Sequence, residues 1–130
     1  RVKDTFKTSK GKFIEPLLLE SYFGDTSDFE QVCVAGIGLP QPLCIATLSD
    51  IGKAKEQSLL EEELSALLLK INEPLDSYKR ISTLVVLNEN WNVENGMTTP
   101  TLKIKRNAVD KKYMDNFLKW HDDKRNVIFP

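Results

Sequence analysis

The residues best suited to chemistry lie in one short stretch, Thr99–Arg106, which reads TPTLKIKR. Lys103, Lys105 and Arg106 place three cations within four residues, behind a proline and two threonines. A lysine or arginine on a loop can meet the negative charge that develops on phosphoryl or carboxylate oxygens. Because a solvated run of charge or a strand edge gives the same pattern, the stretch defines a candidate anion site that needs a second observation.

A second group of cations crowds the beginning of the chain. It consists of Arg1, Lys3, Lys7, Lys10 and Lys12. The whole chain has 18 basic and 19 acidic residues and a net charge of −1, so general affinity for nucleic acid is not expected. A nearly neutral total still permits a local anion site, because the cations are gathered in two separate stretches.

The composition gives little support to other kinds of chemistry. The chain has one histidine and two cysteines, which form no CxxC pair, so no metal cluster is expected. Cys33 and Cys44 lie in apolar runs and are predicted to be buried free thiols. His121 has no accompanying motif of a Ser- or Cys-based catalytic group. The glycines of GIG at 36–38 lack the rest of a phosphate-binding loop.

Turn signals and apolar runs predict the elements of the first half of the chain. A Lys10-Gly11 turn between two short runs predicts a β-hairpin. A short helix is predicted over roughly 16–23, between a proline and a glycine. The apolar runs 31–37 and 43–48, joined by the turn residues GLPQP, predict an antiparallel strand pair.

Periodicity predicts the elements of the second half. A leucine stripe over 60–75 predicts a long helix, whose start is expected at a capping box formed by Ser58 and Glu61. The run 81–89 is predicted to be a buried central strand, and Asn107 with Asp110 is expected to cap a last helix. The resulting order is that of a small α+β domain, with an N-terminal hairpin and a short sheet of about three strands covered by helices.

Two stretches together resemble signature motifs of the adenylate-forming (AMP-binding) enzyme superfamily. Residues 1–20, RVKDTFKTSKGKFIEPLLLE, resemble the motif that opens the small C-terminal domain, R-x-[DK]-[DE]-x-x-K-x-x-G-x-x-[VI]-x-P-x-x-[IL]-E, with one extra residue between Lys7 and Gly11. TPTLKIKR resembles the motif near the end of that domain, P-x-T-x-x-G-K-[IVL]-x-[RK], with Leu102 at the usual glycine position and a shorter spacing between the proline and the lysine. Both forms are similar to those of long-chain acyl-CoA synthetases, and the resemblance covers essentially the whole chain.

The resemblance implies a role for each matching residue. Lys103 corresponds to the catalytic lysine of the first half-reaction, in which a fatty-acid carboxylate attacks the α-phosphate of ATP. Arg1 corresponds to a nucleotide-binding arginine, and Lys3 with the adjacent Asp4 to the hinge about which the small domain rotates. Gly11 corresponds to the glycine that lines the pantetheine channel in the second half-reaction, when the CoA thiolate attacks the acyl-adenylate.

The cations beside these positions carry a further hypothesis. Lys10 and Lys12 flank Gly11, and Lys105 and Arg106 follow Lys103 closely. Some of these side chains, together with Lys7, are expected to attract the phosphates of CoA or ATP.

Taken as a whole, the resemblance implies the C-terminal lid domain of an ATP-dependent long-chain fatty acid–CoA ligase. Residues 1–130 would form one domain, with residues 1–15 as hinge and hairpin. A large N-terminal domain of the same chain would hold ATP, Mg²⁺ and the fatty acid, so this part alone is expected to be inactive and to bind none of them, nor CoA, tightly. A cytoplasmic location is expected, because no apolar run approaches the roughly 20 residues of a membrane span; peripheral association with a membrane is left open.

Two other interpretations remain open from the sequence. One is the lid domain of an adenylate-forming ligase for another carboxylate, such as an aryl acid or an amino acid. The other is a stand-alone α+β binding module without an enzymatic parent. A nucleic-acid binder would need aromatic residues interleaved with the basic stretches, which contain only Phe6, Phe13 and Tyr113.

Overall fold

The computed structural model describes residues 5–24, 26–101, 103–123 and 125–130, and it confirms a small α+β fold. Arg1, Lys3, Asp4 and Leu102 lie outside the described residues, so the expectations about them stay predictions. The regular elements in chain order are β1 (Phe6–Lys7), β2 (Phe13–Ile14), α1 (Pro16–Ser21), β3 (Phe29–Ala35), β4 (Leu43–Leu48), α2 (Asp50–Ala54), α3 (Gln57–Asn72), a 3₁₀ turn (Ser77–Lys79), β5 (Leu84–Leu87), α4 (Arg106–Asp122) and β6 (Val127–Ile128).

The first sheet is the hairpin that the Lys10-Gly11 turn predicts. Strands β1 and β2 pair antiparallel, with Phe6 opposite Ile14 and Lys7 opposite Phe13. Ile14 is buried and anchors the hairpin to the core, while Phe13 points its ring outward and is 62% exposed. The alternation follows from the two-residue period of a strand, which sends neighbouring side chains to opposite faces.

The second sheet has four strands in the order β3-β4-β5-β6. The pair β3-β4 is antiparallel as predicted, whereas β4-β5 and β5-β6 are parallel. The sequence predicts about three strands, and β6 is a fourth. Its two residues follow a charged stretch that carries no strand pattern. The chain beyond Asp122 and Asp123 therefore returns to the core rather than forming a solvated tail.

Helices cover both faces of this sheet, because its central strands are apolar on both sides. All of β4 and β5 is buried. Cys44, Ala46 and Leu48 pack into one cluster with α1 and α3, whereas Leu43 and Ile45 pack into a second cluster with α4. The buried residues of these three helices are Pro16 and Leu19 of α1, then Leu60, Leu64, Leu68 and Ile71 of α3, and Val109, Tyr113, Phe117 and Trp120 of α4.

The start of α3 differs from the predicted capping box. The helix begins at Gln57 with Glu56 as its N-cap residue, so Ser58 lies inside the first turn. A short helix that was not expected from the sequence, α2, lies directly before α3 and sets the point at which the chain enters it. The side chain of Ser49 caps α2 by accepting a hydrogen bond of 3.2 Å from the Gly52 N–H.

The two cysteines confirm the prediction of buried free thiols. Cys33 and Cys44 are both buried and both unpaired in the described part of the chain. Burial raises the pKa of the Cys33 thiol to about 12, and burial likewise raises the pKa of Cys44 well above its ordinary value. Among the described helices, none has the length and apolar character needed to cross a membrane.

Replacing Leu64 by alanine is expected to destabilise the domain through the loss of a buried side chain in the cluster on the α3 side. The residue is 1% exposed, and a buried Leu→Ala change typically lowers the free energy of unfolding by about 2–5 kcal/mol. Leu69→Ala on the same helix is the control, since that residue is 59% exposed and surface changes usually stay within about 0.5 kcal/mol. Urea unfolding curves measure both; equal midpoints would contradict the assignment of the buried face.

Candidate functional site

The first candidate segment is the glycine hairpin, residues 6–14. Its turn exposes Lys10, Gly11 and Lys12 to solvent. Gly11 has a φ of 78°, a backbone conformation that favours glycine. A Cβ placed on Gly11 would meet no atom within 4 Å, so the space above the turn is open in this domain.

Thr8 organises this turn, although it is not among the predicted site residues. Its side-chain oxygen accepts hydrogen bonds from the backbone N–H groups of Lys10 and Lys12, at 3.3 and 3.2 Å. Its own N–H donates to the Lys12 carbonyl, and its carbonyl accepts from the Gly11 N–H. Threonine hydroxyls can bond to the backbone N–H groups of following residues and so favour turns, which is the signal that could have identified Thr8.

The hairpin is fastened to the rest of the domain by backbone hydrogen bonds. The Ser9 N–H donates to the Leu39 carbonyl at 2.9 Å, and the Gly38 N–H donates to the Lys7 carbonyl at 3.2 Å. A groove of about 360 Å³ opens beside the hairpin. Cationic and aromatic residues contribute to its lining, namely Lys12, Lys79, Phe13, Tyr22 and Tyr78.

The second candidate segment is the lysine loop, residues 97–105. Met97 and Thr98 are buried at its beginning, at 3% and 0% exposure. The Lys105 N–H donates to the Met97 carbonyl at 2.8 Å, and Thr98 forms an antiparallel bridge with Ile104. These contacts close the base of the loop and anchor it in the cluster on the α4 side.

Thr99 closes the outer part of the lysine loop. Its N–H donates to the Lys103 carbonyl at 2.8 Å, while its side-chain oxygen accepts from the Lys103 N–H at 3.1 Å. Both the N–H and the carbonyl of Lys103 are thus bonded to Thr99, while the residue itself is exposed. Lys103 therefore presents its ammonium group from a fixed backbone position.

The segment that leads into the lysine loop is held on the sheet by Trp91. The Trp91 N–H donates to the Gln31 side-chain oxygen at 3.2 Å, and the Gln31 amide nitrogen donates back to the Trp91 carbonyl at 2.9 Å. The Trp91 ring nitrogen donates to the Tyr113 hydroxyl at 3.2 Å, and that hydroxyl donates to the Glu89 carboxylate. This hydrogen bond lowers the pKa of Glu89, and burial raises the pKa of Tyr113.

An ion pair joins the segments that carry the two loops. The guanidinium of Arg106 donates to both oxygens of the Glu20 carboxylate, at 2.6 and 2.8 Å. Glu20 lies on α1, directly after the hairpin, and Arg106 is the first residue after the lysine loop. The structure thus places Arg106 on a carboxylate instead of at an open anion site.

The start of α4 also differs from its prediction. Neither Asn107 nor Asp110 is the cap; Lys105 is the N-cap residue, and its side chain makes no capping hydrogen bond. The reason is the lysine loop itself, since the Lys105 N–H is bonded to Met97 and its carbonyl accepts from the N–H groups of Ala108 and Val109. Burial raises the pKa of Asp110, opposed by the charge of Arg106.

The sequence-predicted site residues therefore fall into two exposed groups. Lys10, Gly11 and Lys12 share one turn, and Lys103 lies on a separate loop. The Glu20–Arg106 pair connects the elements behind them.

A comparison with protein families matches residues 3–123 to a family model described as the C-terminal domain of AMP-binding enzymes. Two curated proteins are similar in sequence. A chloroplastic long-chain fatty acid–[acyl-carrier-protein] ligase of Arabidopsis thaliana is 27% identical over 88% of this chain, and long-chain fatty acid–CoA ligase 5 of Mus musculus is 28% identical over 85% of it. The matched regions are 16% and 19% of those proteins, so the chain spans less than a fifth of either.

Solved structures share the fold. The adenylation domain of a carboxylate reductase from Mycobacterium chelonae matches 95% of this chain with a TM-score of 0.77 and 20% sequence identity, over 20% of its own length. An adenylation–carrier didomain of a carboxylic acid reductase from Segniliparus rugosus, in complex with AMP, matches 93% with a TM-score of 0.69 and 21% identity, over 18% of its length.

Thr99→Ala is expected to loosen the backbone at Lys103, because the Lys103 N–H loses its acceptor. A net loss of about 1 kcal/mol would accelerate exchange of that amide about fivefold. Thr99→Ser retains the hydroxyl and is the control. Hydrogen–deuterium exchange resolved at the Lys103 amide measures both variants, and equal rates would mean that the Thr99 hydroxyl does not hold this loop.

Proposed function

The chain belongs to the family of C-terminal domains of AMP-binding enzymes, and from this premise we propose that it serves an ATP-dependent long-chain fatty acid–CoA ligase. The observation that carries the proposal is the family match over residues 3–123, combined with an exposed lysine on an anchored loop at the matching motif. The similarity to long-chain fatty acid ligases supports the choice of substrate. The parent enzyme would activate a fatty acid as its acyl-adenylate and transfer the acyl group to CoA.

Lys103 would act in the adenylation step. The fatty-acid carboxylate attacks the α-phosphorus of ATP, the bond to the β-phosphate oxygen breaks, and pyrophosphate leaves. Negative charge spreads over the phosphoryl oxygens and the carboxylate during this step, and an ammonium group in a preorganised position stabilises it. The hydrogen bonds between Thr99 and Lys103 fix the backbone from which that ammonium group extends.

The glycine hairpin would act in the thioester step, in which the CoA thiolate attacks the acyl carbonyl and AMP leaves. Gly11 has no side chain and open space above it, so a narrow pantetheine arm can pass close to its backbone. Lys10 and Lys12 are exposed on the same turn and would attract the phosphates of CoA. The adjoining groove, with its cations and aromatic rings, suits a nucleotide bearing negative charge.

Rotation of the domain would bring first one segment and then the other to the reacting atoms. In this proposal Arg1 approaches the nucleotide, and Lys3 with Asp4 forms the hinge; hinges absorb large backbone changes at few residues. The partner is a large N-terminal domain of the same chain, which holds ATP and the fatty acid. No group of three or more metal-binding side chains occurs among the described residues. In this proposal the Mg²⁺ ion that accompanies ATP is held by that partner domain. The proposed location is the cytoplasm, with peripheral membrane association left open.

Two alternatives concern the carboxylate and the thiol. The shared fold of the carboxylate reductase adenylation domains favours considering a ligase for another carboxylate. The similarity to an acyl-carrier-protein ligase favours considering a carrier-bound pantetheine as acceptor. Family membership gives less support to a stand-alone binding module.

Lys103→Ala in the full-length enzyme is expected to lower the rate of adenylation by about 100-fold or more, as the loss of one preorganised charge-stabilising donor does elsewhere. The conversion of preformed acyl-adenylate and CoA to acyl-CoA is expected to stay largely intact. Pyrophosphate release and thioester formation are assayed separately, with Lys111→Ala as a surface control. Normal adenylation by the Lys103 variant would reject the proposed function.

Gly11→Ala is expected to slow the thioester step about tenfold or more by obstructing the thiol arm, because small misplacements at a reacting centre are costly. Gly96→Ala is a matched control: its φ is 77°, and its added Cβ also meets no atom within 4 Å. Each change imposes a similar backbone strain of about 1–2 kcal/mol. Thioester formation measured from acyl-adenylate distinguishes them, and equal rates for the two variants would remove Gly11 from the channel.

A further inference from the structure

The ion pair between Glu20 and Arg106 links α1 to α4 through a contact in which both side chains are largely buried. It is bidentate, with nitrogen–oxygen distances of 2.6 and 2.8 Å, and its side chains are only 14% and 16% exposed. The carboxylate also accepts a hydrogen bond of 2.8 Å from the Val34 N–H of β3. Paired planar groups of this kind fix direction as well as distance.

The pair connects two distant parts of the chain at the places where chemistry is proposed. Glu20 follows the glycine hairpin through α1, whose first residue is Pro16. Arg106 follows the lysine loop without an intervening residue. The two partners are 86 residues apart in sequence. One contact therefore joins the elements behind both loops, and the backbone of β3 as well.

The lysine loop has no other charged link of this kind among its described neighbours. The bonds between Thr99 and Lys103 and between Met97 and Lys105 lie within the loop. They define its internal shape but not its direction relative to the hairpin. At one end that direction depends on the burial of Met97 and Thr98 and on their N–H bonds to the Asn92 carbonyl. At the other end it depends on the packing of α4 and on the anchored guanidinium of Arg106.

We propose that Glu20 and Arg106 are positioning residues, which hold the lysine loop in the orientation that presents Lys103 for adenylation. This inference rests on the proposed function. Neither residue needs to touch substrate; the pair acts through the backbone that joins Arg106 to Lys103. Its loss would reduce the fraction of molecules in which Lys103 is correctly placed, and would thus lower kcat more than it changes KM for ATP.

The test uses the full-length enzyme with Arg106→Gln, Arg106→Lys and Glu20→Gln. Glutamine at position 20 keeps an acceptor for the Val34 N–H, so the sheet contact is preserved while the charge is lost. Lys112→Gln is the control, because it breaks a different ion pair on the same helix, the 3.2 Å contact with Glu89. Rates are expressed per folded enzyme, judged by near-ultraviolet circular dichroism.

Arg106→Gln is expected to lower kcat of adenylation about tenfold or more, with KM for ATP within about twofold, since a displaced catalytic group costs rate at the chemical step. Arg106→Lys should show a smaller loss of kcat than Arg106→Gln, because lysine keeps the positive charge but cannot make the bidentate contact of a guanidinium. The double variant with Glu20→Gln should be no slower than Arg106→Gln alone, since both remove one interaction. Lys112→Gln should match the unmodified enzyme.

An unchanged kcat in all three variants, with only a lower thermal unfolding midpoint, would overturn the inference and leave the pair a purely structural contact. A rise in KM for ATP at constant kcat would overturn it too, since it would assign Arg106 to substrate binding. The variant Lys103→Ala distinguishes a failure of this inference from a failure of the proposed function. If it loses adenylation while the Arg106 variants do not, only this inference fails; if it retains adenylation, the proposed function fails.

Discussion

Strand β4 is buried on both faces along its whole length, and this burial sets the architecture of the domain. A strand that carries mostly apolar side chains on both of its faces must be covered from both sides. Helices α1 and α3 cover one side and α4 covers the other, which divides the core into two clusters. The connections that join the parallel strands carry α3 and α4 across the two faces, and the segments left for chemistry are the loops between the elements.

The two candidate loops share one arrangement of exposed charge on an anchored backbone. Each keeps its lysines in solvent and fixes its backbone from beneath: Thr8 does so for the glycine hairpin, and Met97 with Thr99 does so for the lysine loop. Ammonium groups lose little solvation in such an arrangement, and the entropy of ordering is confined to the backbone. The loops thus present charge outward, toward whatever docks on the domain.

Local patterns sufficed for the elements that bury long apolar stretches. The predicted hairpin, the helix after Pro16, the strand pair, the leucine-rich helix and the buried strand at 84–87 are all present. Periodicity could not identify α2 or β6, because the five residues of α2 make less than two helical turns and the two residues of β6 make a single strand repeat. The Glu20–Arg106 pair was also beyond reach, because a single sequence does not show which of many charges meet after folding. The motifs located Lys10, Gly11, Lys12 and Lys103, but not the residues that hold them.

The distribution of aromatic rings has a consequence for optical experiments. The two tryptophans of the chain, Trp91 and Trp120, lie in the cluster on the α4 side, with ring centroids 6.3 and 6.0 Å from that of Tyr113. Tryptophan emission therefore reports on one half of the core only. Loosening of α3 on the opposite face would be nearly silent in fluorescence but visible in far-ultraviolet circular dichroism. Coincidence of the two signals would show that both halves of the core melt as one cooperative unit.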